Sequence, residues 1–385
     1  MEELLHLAAQ AVQQNIDWQG IGEVLSPFVI PMSRTQQHPV YHGEGDVWTH
    51  TRLVCESLLQ LESFRQQSGA VQEILFLAAL LHDIGKIPTT RWEDGRWTSP
   101  RHAMVGTKMV RQFLWQELGL CGTPEKQQLR ETVCMLIRGH SFPPRAIDDP
   151  LAKWKLIEIG SNGNKVPLFT HERLGILCEA DALGRVCDDK AHMLDQISLY
   201  RELARETGCY YAPFAFPSDH TRYAYLSGRN IPPEVELYDD TWGEVILMSG
   251  LPGTGKDTWI RENCSDLPMI SLDEIRRETG ILPTDNQTRV VEIARERAKG
   301  YLRKKQPFVW NATNLSRMVR GKQIQLFSQY HARTRVVYLE TDWQEQRLRN
   351  AGRADAVPEQ AICHMLSELA PPKAKEAHRV DWYCV

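Results

Sequence analysis

The chain reads as two domains of different class, an all-α helical bundle followed by an α/β domain with a parallel sheet. Three observations carry this. From about residue 45 to 205 the apolar residues keep helical spacing, as in Leu53, Val54, Leu58 and Leu59, or in the unbroken run from Ile74 to Leu81. From 241 onward, apolar runs of strand length (245–248, 269–270, 308–310 and 336–339) alternate with helical stretches, as a parallel sheet requires. Between them, 206–240 holds Pro213, Pro217, Pro232 and Pro233 among many aromatics and ends in acidic residues. The expected boundaries are therefore 1–205, a connecting segment 206–240, and 241–385. With 385 residues, each domain can bury a core of its own.

Taken in order, residues 1–30 read as a short amphipathic helix and a turn at Gly20, Gly22 and Pro27. In the bundle after them, residues of metal-ligand type stand in or beside the helical segments: His50, the adjacent pair His82 and Asp83, His102, His140 and Asp181. Imidazole and carboxylate together suit divalent Mn, Fe, Co or Zn, and a shared carboxylate can bridge two ions. The pair continues as His-Asp-x-Gly-Lys, in which Gly85 is expected to end the helix and Lys86 to bring a cation to a phosphoryl oxygen. The alternative for the pair is a helix cap beside a surface histidine, and for His102 and His140 ordinary helix ends. His6, His38, His42, His171 and His192 read as surface or packing residues. Between helices, Trp92 to Trp97 enclose Asp94 and Gly95, a hairpin whose Trp and Arg residues are expected to pack on the bundle rather than stack on bases.

In the second domain the run 245–248 leads into G-x-x-x-x-G-K at Gly250, Gly255 and Lys256, with Gly253 and Thr254 inside it. Such a loop turns backbone N–H groups inward, adds a helix N-terminus and lets the lysine reach the outer phosphates. The expected cofactor is ATP or another NTP with magnesium. Where the pattern places a Ser or Thr for that ion, Asp257 stands, with Thr258 one position later. After the second strand, Asp273 and Arg276 are spaced to share a helix face, a proton acceptor beside a group that can hold a phosphate. A helix N-cap is the alternative for Asp273. Further on, Arg347, Arg349 and Arg353 precede Pro358, a placement that suits a lid over a transferred phosphoryl group, with an exposed basic helix as the alternative.

Bulk properties are those of an ordinary soluble protein, 42% hydrophobic and 24% charged. No apolar run approaches the roughly 18 residues of a membrane span. The first residues lack the basic start and apolar core of a signal peptide, so a cytoplasmic protein is expected. Nine cysteines stand singly, without a C-x-x-C pair, and read as reduced thiols. Charge divides unevenly: 1–240 has 23 Lys and Arg against 31 Asp and Glu, net −8, whereas 241–385 has 22 against 18, net +4. A positive phosphate-binding half fits a polyanionic second substrate.

The ordered set GLPGTGKDTW at 250–259, Asp273 with Arg276, Ala312-Thr313-Asn314 with Arg317, and Arg349-Asn350 with Arg353 and Pro358 resembles the 5′-OH polynucleotide kinases among P-loop phosphotransferases. That resemblance implies Asp273 as general base for the 5′-hydroxyl, Arg276 on the acceptor's phosphate, and Arg349 and Arg353 on the donor phosphates. One further departure joins Asp257. The third strand ends at Asn311 without the acidic residue often found there, so Asp257 is expected to supply the carboxylate near magnesium, directly or through water.

The order His50, His82-Asp83, His102, His140, Asp181 resembles the two-metal branch of the HD-superfamily phosphohydrolases. It implies that His50, His82, Asp83 and Asp181 hold one ion, that Asp83 bridges to a second held by His102 and His140, and that Lys86 stabilises transition-state charge. The tandem resembles the bacterial bifunctional end-healing enzymes called HD-Pnk. It thereby implies a metal-dependent 2′,3′-phosphoesterase with an NTP-dependent 5′-OH kinase, acting on nucleic-acid ends, RNA ahead of DNA, with an RNA ligase as functional partner and no membrane. Two other readings stand beside it: a nucleotide phosphohydrolase fused to a small-metabolite kinase, and a nucleotide-sensing regulatory ATPase.

Overall fold

Helical spacing gives helices and strand-length runs give a parallel sheet in the computed structural model, which describes residues 2–13, 15–353 and 355–385. The chain divides into two compact units, Met1–Leu120 with Glu125–Phe214, and Cys121–Pro124 with Ala215–Val385. Among the described residues, no helix is long and apolar enough to cross a membrane.

In the first unit five helices carry or flank the residues of metal-ligand type: α1 (Val47–Gln60), α2 (Gly69–Leu81), α3 (His102–Gln116), α4 (Pro124–Gly139) and α5 (His171–Gly184). Every residue of α2 from Ile74 to Leu81 is buried, because a helix apolar on all sides is stable only at the centre of a bundle. Helices α1 and α5 pack on it and on each other. Helices α3 and α4 are tied by Glu131, which accepts from Arg111 Nε and Arg130 Nε, each at 2.9 Å, with all three side chains buried. Burial opposes the charge on Glu131, but the two guanidiniums outweigh it and hold the carboxyl at about 2.

Two expectations are corrected here. Residues 1–30 form three helices, Glu2–Gln13, Trp18–Val24 and Ser26–Met32, rather than one helix and a turn. Asp17 caps the second by accepting from the Gly20 N–H, and Pro27 sits in the first turn of the third, where a missing N–H costs nothing. The hairpin β1 (Arg91–Glu93) and β2 (Arg96–Thr98) forms around Asp94 (φ 50°) and Gly95 (φ 74°), the two positive φ values of a type I′ turn. Its Trp92 is not packed on the bundle. It stands 59% exposed, paired across the strands with Trp97 at 5.2 Å between ring centroids, so the two indoles partner each other edge to face.

The second unit is built on a parallel sheet of β3 (Glu244–Ser249), β4 (Met269–Ser271), β5 (Phe308–Asn311), β6 (Arg333–Glu340) and β7 (Arg379–Cys384), in the order β4-β5-β3-β6-β7. Along β3 the side chains alternate: Val245 and Leu247 enter one core with Phe308, Trp310 and Phe327, while Ile246 and Met248 enter another with Trp259, Val309 and Val337. Both faces of the sheet are thus covered, by helices α6 (Lys256–Asn263), α7 (Leu272–Thr279), α8 (Thr288–Arg303), α9 (Arg317–Ser328) and α10 (Trp343–Ala351) among others. In such a sheet, ligands bind at the carboxyl ends of the strands where the strand order reverses, which is where the segment after β3 lies. Much of 206–240 is folded as well. Its helix Asp219–Leu226 buries His220 and Tyr225, and the Arg222 guanidinium donates to the carbonyls of Ala374 and His378.

Candidate functional site

Five helices bring six side chains of the first unit together, mostly at helix ends. His50 lies in the first turns of α1, His82 and Asp83 directly follow α2, His102 opens α3, His140 follows α4, and Asp181 lies on α5. Backbone carbonyls accept from Nδ1 of His82 (Ala79, 2.7 Å), His102 (Ser99, 2.9 Å) and His140 (Ile137, 2.7 Å). Since a carbonyl only accepts, each Nδ1 carries the proton and each Nε2 is directed to the site as a ligand atom. The Nδ1 of His50 lies 2.8 Å from Glu44 Oε1.

The inward atoms form two groups around one carboxylate. Ligand atoms of His50, His82 and Asp181 lie within 4.8 Å of one another, and so do those of Asp83, His102 and His140. Asp83 Oδ2 faces the first group, 3.2 Å from His82 Nε2 and 3.8 Å from His50 Nε2. Its Oδ1 faces the second, 3.5 Å from His102 Nε2 and 3.9 Å from His140 Nε2. His82 Nε2 and Asp83 Oδ1 are buried without a hydrogen-bond partner among the described residues. Orphaned acceptors of this kind, in a set of imidazoles and carboxylates, fit one or two divalent transition metals.

Electrostatics agree with a charged centre. Burial opposes ionisation of Asp83, yet His82 and Lys86 hold its carboxyl well below the usual range. Burial is likewise overcome at His82, whose pKa the Asp83 carboxylate raises. Burial, with His102 and His82 nearby, pushes His140 down to about 3, leaving it a neutral ligand. Lys86 Nζ lies 2.7 Å from Asp83 Oδ2 and donates to Gln37 Oε1 at 2.6 Å.

Gly85 serves a different purpose from the one its position suggested. Its φ of −67° is ordinary, and it precedes the short helix Lys86–Thr89 rather than capping the long one. A β-carbon there would sit 2.1 Å from the His102 carbonyl oxygen, so glycine is required for α3 to reach the site. Four neighbours were not legible as site residues. His42, expected at the surface or in packing, is buried and joins Glu44 and His50 in a third group of ligand-type atoms. Glu44 also accepts from the Val186 N–H at 2.9 Å, Gln37 holds Lys86, and Arg185 clamps Asp181 with Nη2 at 3.1 Å from Oδ2. Only the last had a signal, the i,i+4 spacing of Asp181 and Arg185.

In the second unit the loop after β3 turns on Gly250 (φ 149°) and Gly253 (φ 82°). A β-carbon on either would meet a carbonyl oxygen, Leu339 at 2.6 Å or Gln346 at 2.8 Å. Gly255, also left-handed, opens α6. Thr254 is buried, its hydroxyl donating to Leu251 O at 2.9 Å, so it braces the loop. Lys256 Nζ donates to the carbonyls of Gly250 (3.0 Å) and Leu251 (2.7 Å), and desolvation lowers its pKa to about 8. From behind, Thr313 O accepts from Gly250 N at 2.9 Å, and the Asn314 amide donates to Met248 O at 2.8 Å.

The loop opens on a cavity of about 870 Å³ lined by Lys256, Asp257, Thr258, Asp273, Arg276, Asn311, Arg349 and Arg353. Ser271, not Asp273, caps α7, so the Asp273 carboxylate is free of that duty. It pairs instead with Arg276, and Arg353 Nη2 lies 3.7 Å away. Gln287 fixes Arg276 by accepting from Nε at 2.7 Å. Arg349 pairs with Glu345 at 2.7 Å, and Asn350 bonds both ways with the Val357 backbone, closing the segment that carries Arg353. Arg347 is engaged by Glu359 at 2.7 Å. Asp257 Oδ1 accepts from Asn311 Nδ2 at 2.6 Å, so the two departures from the usual pattern meet in space. Thr258 is exposed and accepts from Arg261 at 3.2 Å.

A family model described as HD domain matches residues 47–185, and one described as AAA domain matches residues 245–372. The first span contains all six converging side chains, and the second contains the phosphate loop, Asp273, Arg276, Arg349 and Arg353. These matches agree with a helical HD-type region followed by an α/β domain of P-loop kinase fold. HD domains bind divalent metals, and P-loop kinases use an NTP with magnesium.

Proposed function

We propose that this chain heals broken nucleic-acid ends, removing phosphate from a 2′,3′-cyclic phosphate or 3′-monophosphate end and adding phosphate to a 5′-hydroxyl. The observation that carries the reading is the lining of the phosphate-loop cavity, where an exposed carboxylate, Asp273, stands beside Arg276 and Arg353 in the same cavity as Lys256. A carboxylate there suits an acceptor hydroxyl. A guanidinium beside it suits an acceptor that itself carries a phosphodiester. As the acceptor oxygen bonds to the γ-phosphorus, its proton passes to Asp273 and the bond from that phosphorus to the bridging oxygen breaks, releasing the nucleoside diphosphate. Lys256, Arg349 and Arg353 offset the charge on the phosphate chain.

In the HD domain, His50, His82, Asp83 and Asp181 would hold one ion, with Asp83 shared toward a second at His102 and His140. Bound ions would supply Lewis acidity and activate water. The chain's own part is to direct imidazole Nε2 atoms and ionised carboxylates to the site, and to place the Lys86 ammonium beside Asp83 for a phosphoryl oxygen. RNA is preferred to DNA because a 2′,3′-cyclic phosphate needs a 2′-hydroxyl. An RNA ligase, in the cytoplasm, is the functional partner that would use the repaired ends.

Asp257 is the carboxylate assigned to magnesium, its Oδ1 oriented by Asn311. Asp257→Ala should raise the magnesium concentration for half-maximal kinase activity, because the loop N–H groups and Lys256 still hold the phosphates. A magnesium titration at saturating ATP checks this. An unchanged half-saturation with a normal maximal rate would remove Asp257 from the mechanism. The reading as a whole is tested with an RNA carrying both a 5′-hydroxyl and a 2′,3′-cyclic phosphate, offered with ATP, magnesium and manganese, and analysed at each end.

A further inference from the structure

We propose that the hairpin 91–98 is a nucleic-acid arm, stacking unpaired nucleotides next to the 3′ end that the HD domain processes; this rests on the phosphoesterase reading. Its root belongs to the site. The excursion leaves just after Lys86, which contacts Asp83 at 2.7 Å, and returns at His102, which lies 3.5 Å from the same carboxylate. Thr90 and Ser99 join their hydroxyls at 2.8 Å across the base, and the Ser99 carbonyl accepts from His102 Nδ1. With three-residue strands rising about 3.3 Å per residue, the tip stands within roughly 15 Å of the root. That span suits the nucleotides adjoining a bound end.

The arm has the chemistry of a single-strand binder. Trp92 leaves 59% of its surface in water, whereas Trp115 of the same unit is 2% exposed. The edge-to-face contact with Trp97 supports the Trp92 indole without covering it. Around the pair, segment 90–101 carries Arg91, Arg96 and Arg101 against Glu93 and Asp94, net +1, within a half of the chain that is net −8. Arg91 pairs with Glu93 at 3.0 Å, and Arg96 has no ion pair among the described residues. Arg101, directly before His102, holds φ 58°, a left-handed conformation that is unfavourable for an arginine and is more often kept at functional positions. An exposed indole beside a guanidinium without an ion pair is what a base and its phosphate take up.

The test compares a 2′,3′-cyclic mononucleotide with a single-stranded RNA ending in the same group and blocked at its 5′ end by a fluorophore. Trp92→Ala should raise KM for the RNA by about fivefold to a hundredfold, with kcat and mononucleotide turnover unchanged. Trp92→Phe should recover much of the loss. Fluorescence anisotropy with a 5′-blocked RNA ending in a 3′-hydroxyl reads the arm without turnover: Kd should rise in Trp92→Ala, and the slope of log affinity against log salt should fall by about one in Arg96→Ala. Equal loss on the mononucleotide and the RNA, or unchanged Kd in both variants, would overturn the arm. Wild-type protein that hydrolyses neither substrate would overturn the phosphoesterase reading instead, while the anisotropy arm still decides whether the hairpin binds RNA.

Discussion

Asp273→Ala should lower 5′-phosphorylation about a hundredfold to ten-thousandfold and leave phosphoesterase turnover unchanged. That range is what loss of a positioned general base costs. The variant is a clean one, because Asp273 is exposed and does not cap its helix, so its removal leaves no buried group stranded. Arg276 stays in place through Gln287, which separates loss of the base from loss of the acceptor contact. Lys256→Ala, which empties the cradle of its cation, should abolish the same activity. Transfer of labelled γ-phosphate to a 5′-hydroxyl oligonucleotide measures both. Activity of Asp273→Ala within threefold of wild type would end its assignment as the base.

Asp83→Ala should remove phosphoesterase activity and bound transition metal together, with the kinase spared. The effect is large because its two oxygens face different groups, Oδ2 toward His82 and His50, Oδ1 toward His102 and His140. Removing one carboxylate therefore strips a ligand from both. Asp83→Asn, which keeps the shape, separates ligand loss from disturbed folding when its thermal melt matches wild type. Elemental analysis of wild type and variants decides the matter. Retained metal and turnover in Asp83→Asn would contradict the shared role, and a wild-type chain that never holds more than one ion at saturation would remove the second ion from His102 and His140.

Much of both sites was legible because their chemistry sits on local patterns. The run from Ile74 to Leu81 announces a buried helix, and the metal-type residues fall at helix ends, where a short sequence marks both the ending and the ligand. The phosphate loop is a contiguous string whose glycines do take left-handed φ values. What escaped was either non-local or two-sided. Glu44 and His42 stand in a loop without periodicity and meet His50 only through the fold. Strand β7 is interrupted by Asp381 and, as an edge strand, buries only Val380, so its short run Trp382 to Cys384 does not read as a core strand. Gly85 signals glycine without saying whether conformation or space demands it, and the contact that answers is with His102 in a later helix. In the hairpin, a Trp pair can cover a core or cover itself, and only the three-dimensional fold distinguishes the two.

One measurement bears most directly on the claim that this chain both removes and adds phosphate at nucleic-acid ends. A single RNA with a 5′-hydroxyl and a 2′,3′-cyclic phosphate, incubated with the protein, ATP, magnesium and manganese, should leave with a 5′-phosphate and a 3′ end freed of its cyclic phosphate. In Asp273→Ala only the 3′ end should change, and in Asp83→Ala only the 5′ end. An RNA recovered with both ends untouched, while the same protein phosphorylates a nucleoside or small metabolite or hydrolyses free nucleotides, would contradict it.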